Sequence, residues 1–478
     1  MKSACILAAG LLSALPAAAQ QLQLTPRALR LGTEEVAAEF GFLKVPADHA
    51  RAARDTFQLA VARLRTTSSN PGPPIVFLAG GPGGSGIAAA RSDYFAELFS
   101  RLRSVADVIL IDQRGTGQSN PATVCTANEL PPHDVFATQQ QLAGYYAERV
   151  RVCVGEWRAR GVEPAHFDTQ QSAADIAYLR RALGVEQIQL LGFSYGTHLG
   201  LAVLRSDGAG VARAVLAGVE GPDHNWKLPS TGEKQLDVLG GIVRADSALG
   251  PEIPDLKTML REVLARADQQ PWQVDVPTPG GGTTLLTIGG DGLRYLLARD
   301  LGDTNDLPNY PAWIWTMARG NDVGLKQYAA RRWAELRTVS VMAVATDCAS
   351  DASAERKMRV RKEAEQATLR DALNMWFTER CAAVGTPPLG PAFRAPISSA
   401  VPALFISGSL DSQTPPEQVE EIRRGFTRSA HVIVNNAGHE STLPNAAVQQ
   451  LIERFVRGET VSDTTVTLAA LRFRALPR

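Results

Sequence analysis

Short apolar runs recur along the chain, at residues 75–78, 108–111, 188–191, 211–218, 401–408 and 431–434. Runs of this length are too short for typical helices and fit strands buried on both faces, as in a parallel sheet. Ahead of them, residues 57–64 alternate apolar and polar side chains and, with 40–46, predict an antiparallel edge hairpin with one solvated face. Between the runs the spacing becomes helical. Ile176, Leu179 and Leu183 mark a crossover helix that a Ser172-x-x-Asp175 capping box would open and Gly184 would close. Residues 139–157 and 446–456 also read as helices. From 222 to 396 the sheet rhythm stops, and helical segments follow at 256–267, 322–336 and 354–378. Six of the seven tryptophans (Trp226, Trp272, Trp313, Trp315, Trp333 and Trp376) fall in this stretch, where they read as core of an inserted unit. The fold class expected is α/β: a mostly parallel sheet flanked by helices, built from residues 21–221 and 397–478, with a mainly helical cap at 222–396.

The run at 188–191 leads into Gly192-Phe193-Ser194-Tyr195-Gly196, and helical spacing resumes directly afterwards. Strand, sharp turn and helix are the setting of a nucleophile elbow, in which glycines let the two elements cross closely and the serine hydroxyl stands at the carboxyl end of the sheet. The run at 75–78 ends in Ala79-Gly80-Gly81-Pro82-Gly83-Gly84. No Gly-Lys-Ser/Thr follows to make it a phosphate cradle. Its backbone N–H groups suit a developing oxyanion, with one donor expected from Gly80 or Gly81 and the other from Tyr195. Asp112 ends the run at 108–111 and is assigned a structural role, tying its turn together with Arg114.

A serine hydroxyl needs a general base, and that base needs an orienting group. In an α/β sheet both stand beyond the carboxyl ends of strands. His431 begins its run, the wrong end, whereas His439 lies just past it in Ala437-Gly438-His439-Glu440 and is the base expected. Asp411, past the run at 401–408, reaches the same edge. The order Ser194, Asp411, His439 predicts acyl transfer through a covalent serine ester.

Composition changes this picture little. The 478 residues carry 49 basic and 49 acidic side chains, with no long basic run, so nothing points to nucleic acid or an anionic membrane surface. The amino terminus adds a compartment. Lys2, an apolar stretch at 6–12 and small residues at 17–19 form a secretory signal over residues 1–20, with cleavage near Ala19 and export to the periplasm or medium expected. The stretch is too short to span a bilayer, and Cys5 precedes it, so no membrane anchor is expected. Four cysteines remain, Cys125, Cys153, Cys348 and Cys381, and of their three pairings the sequence-local one, Cys125 with Cys153 and Cys348 with Cys381, is preferred. Each closure of about 30 residues would stabilise by roughly 3 to 4 kcal/mol. No metal or organic cofactor is implied, and the oligomeric state is left open.

Together these motifs resemble the prolyl aminopeptidase and tripeptidyl aminopeptidase family of α/β hydrolases. The resemblance runs through Gly80-Gly81-Pro82-Gly83-Gly84, Asp112-Gln113-Arg114-Gly115-Thr116-Gly117, Gly192-Phe193-Ser194-Tyr195-Gly196-Thr197, Asp411-Ser412-Gln413-Thr414-Pro415 and Gly438-His439. It implies an α/β-hydrolase fold with a cap, and an exopeptidase that releases proline or short peptides from a substrate with a free amino terminus. It also implies a carboxylate near the cap for the substrate ammonium, for which Glu220 is the candidate. Ala79 and Tyr195 stand where the prolyl branch commonly has His and Trp, which favours the tripeptidyl branch. The alternative on the same fold is a carboxylesterase or lipase. A catalytically silent hydrolase-like binding protein is disfavoured, because a binding role would not require a triad and both oxyanion elements.

Overall fold

A computed structural model describes residues 22–51, 55–278 and 280–477. The expected signal at 1–20, with Cys5, lies outside the described residues.

The chain opens with β1 (Thr25–Leu31), β2 (Glu34–Pro46), β3 (Thr56–Leu64), β4 (Ile75–Leu78), β5 (Val108–Ile111) and β6 (Val124–Thr126). β7 (Ile188–Phe193) and β8 (Val211–Ala217) follow, then β9 (Trp272–Pro277), β10 (Thr283–Ile288) and β11 (Thr338–Ser340). β12 (Ala403–Gly408), β13 (Ser429–Asn435) and β14 (Thr464–Thr467) complete the series. Ten of these strands make one sheet in the order β1-β2-β3-β5-β4-β7-β8-β12-β13-β14. The first three pair antiparallel and β3 joins β5 antiparallel; every later pairing is parallel. The central strands β4, β5 and β12 are buried throughout, as their unbroken apolar runs require.

Five elements depart from the sequence reading. The hairpin of β2 and β3 is not the sheet edge, because β1 covers β2 over seven pairs. β1 and the last strand, β14, are mostly exposed, so no periodicity announced either. The crossover helix runs over Thr169–Ala182 and is capped by Asp168, which accepts from the Gln171 N–H. Asp175 is therefore not a cap residue: it is buried inside that helix and takes a two-pronged bond from Arg114, 2.7 Å on each arm. The predicted helix at 354–378 is two helices, Ala354–Ala364 and Phe377–Val384. Between them Thr368 donates to Glu233, and the Asn374 side-chain amide brackets the N–H and C=O of Lys227. These long-range bonds replace the helical ladder there.

The turn after β5 also differs in detail. Asp112 does tie it, accepting from Ser85, Ile87 and Gln118. Arg114 reaches away instead, to Asp175 and to the carbonyls of Pro46, Ala47 and His166.

Residues 218–402 supply no strand to the large sheet. They carry helices, the β9–β10 hairpin and β11, which pairs with β6. Their apolar cluster draws in Val135, Phe136, Leu142 and Ala143 from before the elbow, and buries Trp333 and Trp376. Disulfides join Cys125 to Cys153 and Cys348 to Cys381. Among the described residues no helix is long and apolar enough to cross a membrane.

Candidate active site

Register brings the strand ends together. Leu78 of β4 stands opposite Gly192 of β7, Phe193 opposite Ala217 of β8, and Ala217 opposite Ile406 of β12. Ala79, Ser194, Gly218 and the turn after Gly408 therefore leave the sheet at one edge.

Ser194 links β7 to the helix Tyr195–Asp207 with φ 55° and ψ −127°. An L-residue takes a positive φ only where its surroundings impose it, at a cost of about 1–3 kcal/mol. Here the imposition is close packing. A β-carbon on Gly196 would run into the Leu78 carbonyl, and one on Gly80 would come within 2.9 Å of the Phe193 carbonyl and of Ser194 Cβ. The glycine loop and the serine turn thus lie against each other because neither carries a side chain between them. Among the described residues the N–H groups of Gly80, Gly81 and Tyr195 have no carbonyl partner. Tyr195 also begins its helix, where N–H groups lie outside the intrahelical ladder.

Asp411 and His439, 28 residues apart, meet at this edge: His439 Nδ1 donates to Asp411 Oδ2 at 2.7 Å. Asp411 is 3% exposed and His439 6%. The other oxygen of Asp411 accepts the N–H groups of Gln413 and Thr414, each at 2.9 Å. Burial opposes ionisation of Asp411, but His439 and the Thr414 donors hold its carboxyl below the usual range. Burial likewise disfavours the imidazolium, yet the Asp411 carboxylate raises His439 above the ordinary imidazole value. The ring packs at a tilt against that of Phe193, the residue before the serine, with 5.0 Å between centroids. Among the described residues no hydrogen bond joins the Ser194 hydroxyl to His439; such bonds commonly close only in the Michaelis complex. His431 sits elsewhere, bonded to Glu420 and to Ser407.

Four contributors escaped the sequence reading. The Thr414 hydroxyl donates to Asp411 at 2.6 Å and lies 3.1 Å from His439 Nδ1. The Asx-turn spacing of Asp411 and Thr414 was the available signal for it. Thr197 donates to the Ser194 carbonyl and accepts the Glu220 N–H, so it bolts the loop after β8 to the elbow. Gly302 accepts the His439 N–H at 3.0 Å, and Thr304 bonds Glu440 and Ser441, so a loop from the insert carries the histidine segment. Lys227 is the fourth, paired with Glu220 at 3.3 Å. Burial opposes ionisation of Glu220, but Lys227 and His198 hold it below its usual range. Nearby, burial pushes Asp347 up to about 6 despite its bond to Arg380.

A strained serine at a strand-to-helix turn, facing a glycine loop and a buried Asp–His pair, defines a class before any relative is considered. The chain belongs to the α/β-hydrolase fold family, whose model matches residues 73–446. It is 31% identical over 173 residues to the tripeptidyl aminopeptidase of Streptomyces lividans, covering 34% of this chain and 31% of that one. It is 33% identical over 192 residues to the serine protease Hip1 of Mycobacterium bovis, covering 38% and 36%. The matched stretch spans about a third of the length of these relatives. Among solved structures, a thermophilic esterase from Thermogutta terrifontis aligns over 87% of this chain and 98% of its own, at 16% identity and a TM-score of 0.37.

Proposed function

We propose that the protein is a serine exopeptidase acting on peptides with a free amino terminus. The observation that carries this reading is the Asp411–His439 bond at the strand edge from which the strained Ser194 also projects. In the proposed cycle Asp411 fixes the imidazole tautomer, and His439 takes the Ser194 proton as the hydroxyl attacks the scissile carbonyl. The tetrahedral oxyanion meets the N–H of Tyr195 and one from Gly80 or Gly81, donors of a kind worth about 3–4 kcal/mol each. His439 then protonates the leaving amine, and water attacks the acyl-enzyme by the same route in reverse.

The relatives, a tripeptidyl aminopeptidase and a serine protease, support peptides over esters as substrates, and Glu220 is proposed as the carboxylate that reads the substrate ammonium. Residues 222–396 are proposed as the cap that limits access, the insert loop at Gly302–Thr304 being its hold on the histidine segment. Two disulfides accord with the proposed export.

The test is hydrolysis of Pro-, Ala- and Ala-Ala-Pro-naphthylamides, each with a free and a blocked amino terminus, by the wild type and Ser194→Ala. Turnover is expected to need both the free amine and Ser194, with Ser194→Ala also losing fluorophosphonate labelling. Turnover of blocked peptides or esters alone would replace the exopeptidase reading with an endopeptidase or esterase.

A further inference from the structure

The loop after β8 carries a cation of its own. Lys227 has one carboxylate partner among the described residues, Glu220, and their side chains are 19% and 10% exposed. Glu220 is fixed at its backbone, since its N–H reaches Thr197, which in turn holds the Ser194 carbonyl. Two residues earlier, a β-carbon on Gly218 would stand 3.0 Å from His439 Cε1. The loop that carries Glu220 thus runs against the histidine of the candidate active site. Lys227 is anchored differently: Asn374 of the insert grips its backbone on both sides, and among the described residues its side chain has no polar partner besides Glu220. A lysine side chain is a flexible four-carbon stem bearing a compact charge, well suited to leave and return.

We infer that Lys227 is a specificity-determining residue whose ammonium stands in for the substrate's amino terminus on Glu220 and is displaced when a free-amine peptide binds. A buried carboxylate left without a counter-charge is strongly unfavourable, so a resident cation keeps Glu220 ionised between turnovers. The incoming ammonium then gains only the difference between two ion pairs, which holds affinity down and eases release of product amines. The field of Lys227 also reaches His439, where it favours the neutral, basic imidazole against Asp411 and Glu440. The inference rests on the exopeptidase reading for the identity of the ligand, and it is tested by binding alone.

Ala-Ala-Pro-amide, with a free or an acetylated amino terminus, is titrated calorimetrically at pH 8 into the Ser194→Ala protein, with and without Lys227→Met or Lys227→Arg. Lys227→Met is expected to tighten the free-amine peptide about five- to tenfold while leaving the acetylated one unchanged, the effect of removing a partly buried competitor. Lys227→Arg should stay within about twofold of the parent, because the competing charge persists. Unchanged or weaker free-amine binding in Lys227→Met, equal tightening of both peptides, or no free-amine binding to any variant overturns the inference. If Lys227→Met does not fold, Glu220→Gln decides: the preference for the free amine must vanish, and its survival overturns the inference equally. Failure of the exopeptidase reading shows separately, as wild-type turnover that ignores the amino terminus.

Discussion

Ser194 is held in a conformation that few L-residues adopt, and the residues that hold it are as specific as the serine itself. Gly196 and Thr197 lend no reacting group, yet with Gly80 they decide where the hydroxyl stands. The same division applies to the base. The acid limb of kcat/KM should follow the His439 imidazole, which must be neutral to accept the serine proton. Because Asp411 raises that imidazole, activity is expected to fall as pH drops through a point above the ordinary histidine value. Asp411→Asn should move this limb to lower pH while reducing kcat by about 10⁴-fold, as the tautomer is no longer fixed. A pH–rate profile that keeps its acid limb in Asp411→Asn would remove His439 from the proposed role. Ser194, Asp411 and His439 were legible in the sequence because strand ends in an α/β sheet lie at one edge. Lys227 was not, since it acts through a side-chain contact that chain spacing does not reveal, and Thr414 left only the short Asx-turn spacing to Asp411 as a signal.

At the scale of elements, what was legible was whatever is buried on two sides. The strands β4, β5, β7, β8 and β12 announce themselves as apolar runs; β1 and β14 do not, since pairing alone places them. The helix Val341–Ser350 shows how far an element can act from its neighbours in sequence. Ser340, at its start, lies 3.2 Å from where a Gly83 side chain would begin, and Ser350, at its end, bonds His198 on the elbow helix. Cys348 joins this helix to Phe377–Val384 one residue beyond the Asp347–Arg380 bond. Replacing Cys348 and Cys381 together by serine is expected to cost about 2–4 kcal/mol in urea unfolding. Activity should decline below the new midpoint first, as the helix loosens from the glycine loop. An unchanged midpoint would mean that packing alone secures it.

Over the whole molecule, Arg114 joins parts that the sheet does not. Fully buried, it binds the end of β2, the His166 carbonyl and Asp175 in the crossover helix, tying the antiparallel flank to the parallel core. Arg114→Met leaves Asp175 buried with, among the described residues, only His49 bonded to it, and a loss of about 3–5 kcal/mol is expected in chemical denaturation. A loss under about 1 kcal/mol would show that water reaches the site and replaces the guanidinium. The architecture of α/β layers could be read from hydrophobic spacing, but the joint at Arg114 and the insert's grip on His439 could not. Both depend on three-dimensional neighbours separated by tens to hundreds of residues.

The neighbours β8 and β12 pair in parallel although residues 218–402 separate them, so the entire insert is the crossover between two adjacent strands. Synthesis proceeds from the amino terminus, and domains fold as their parts emerge. The serine is consequently made, and its turn can be shaped, long before the base exists. Only when β12 and β13 dock does the last third of the sheet deliver Asp411 and His439. On the proposed reading, a nascent or truncated chain carries Ser194 with no base to activate it, and is expected to stay inactive until the final strands arrive.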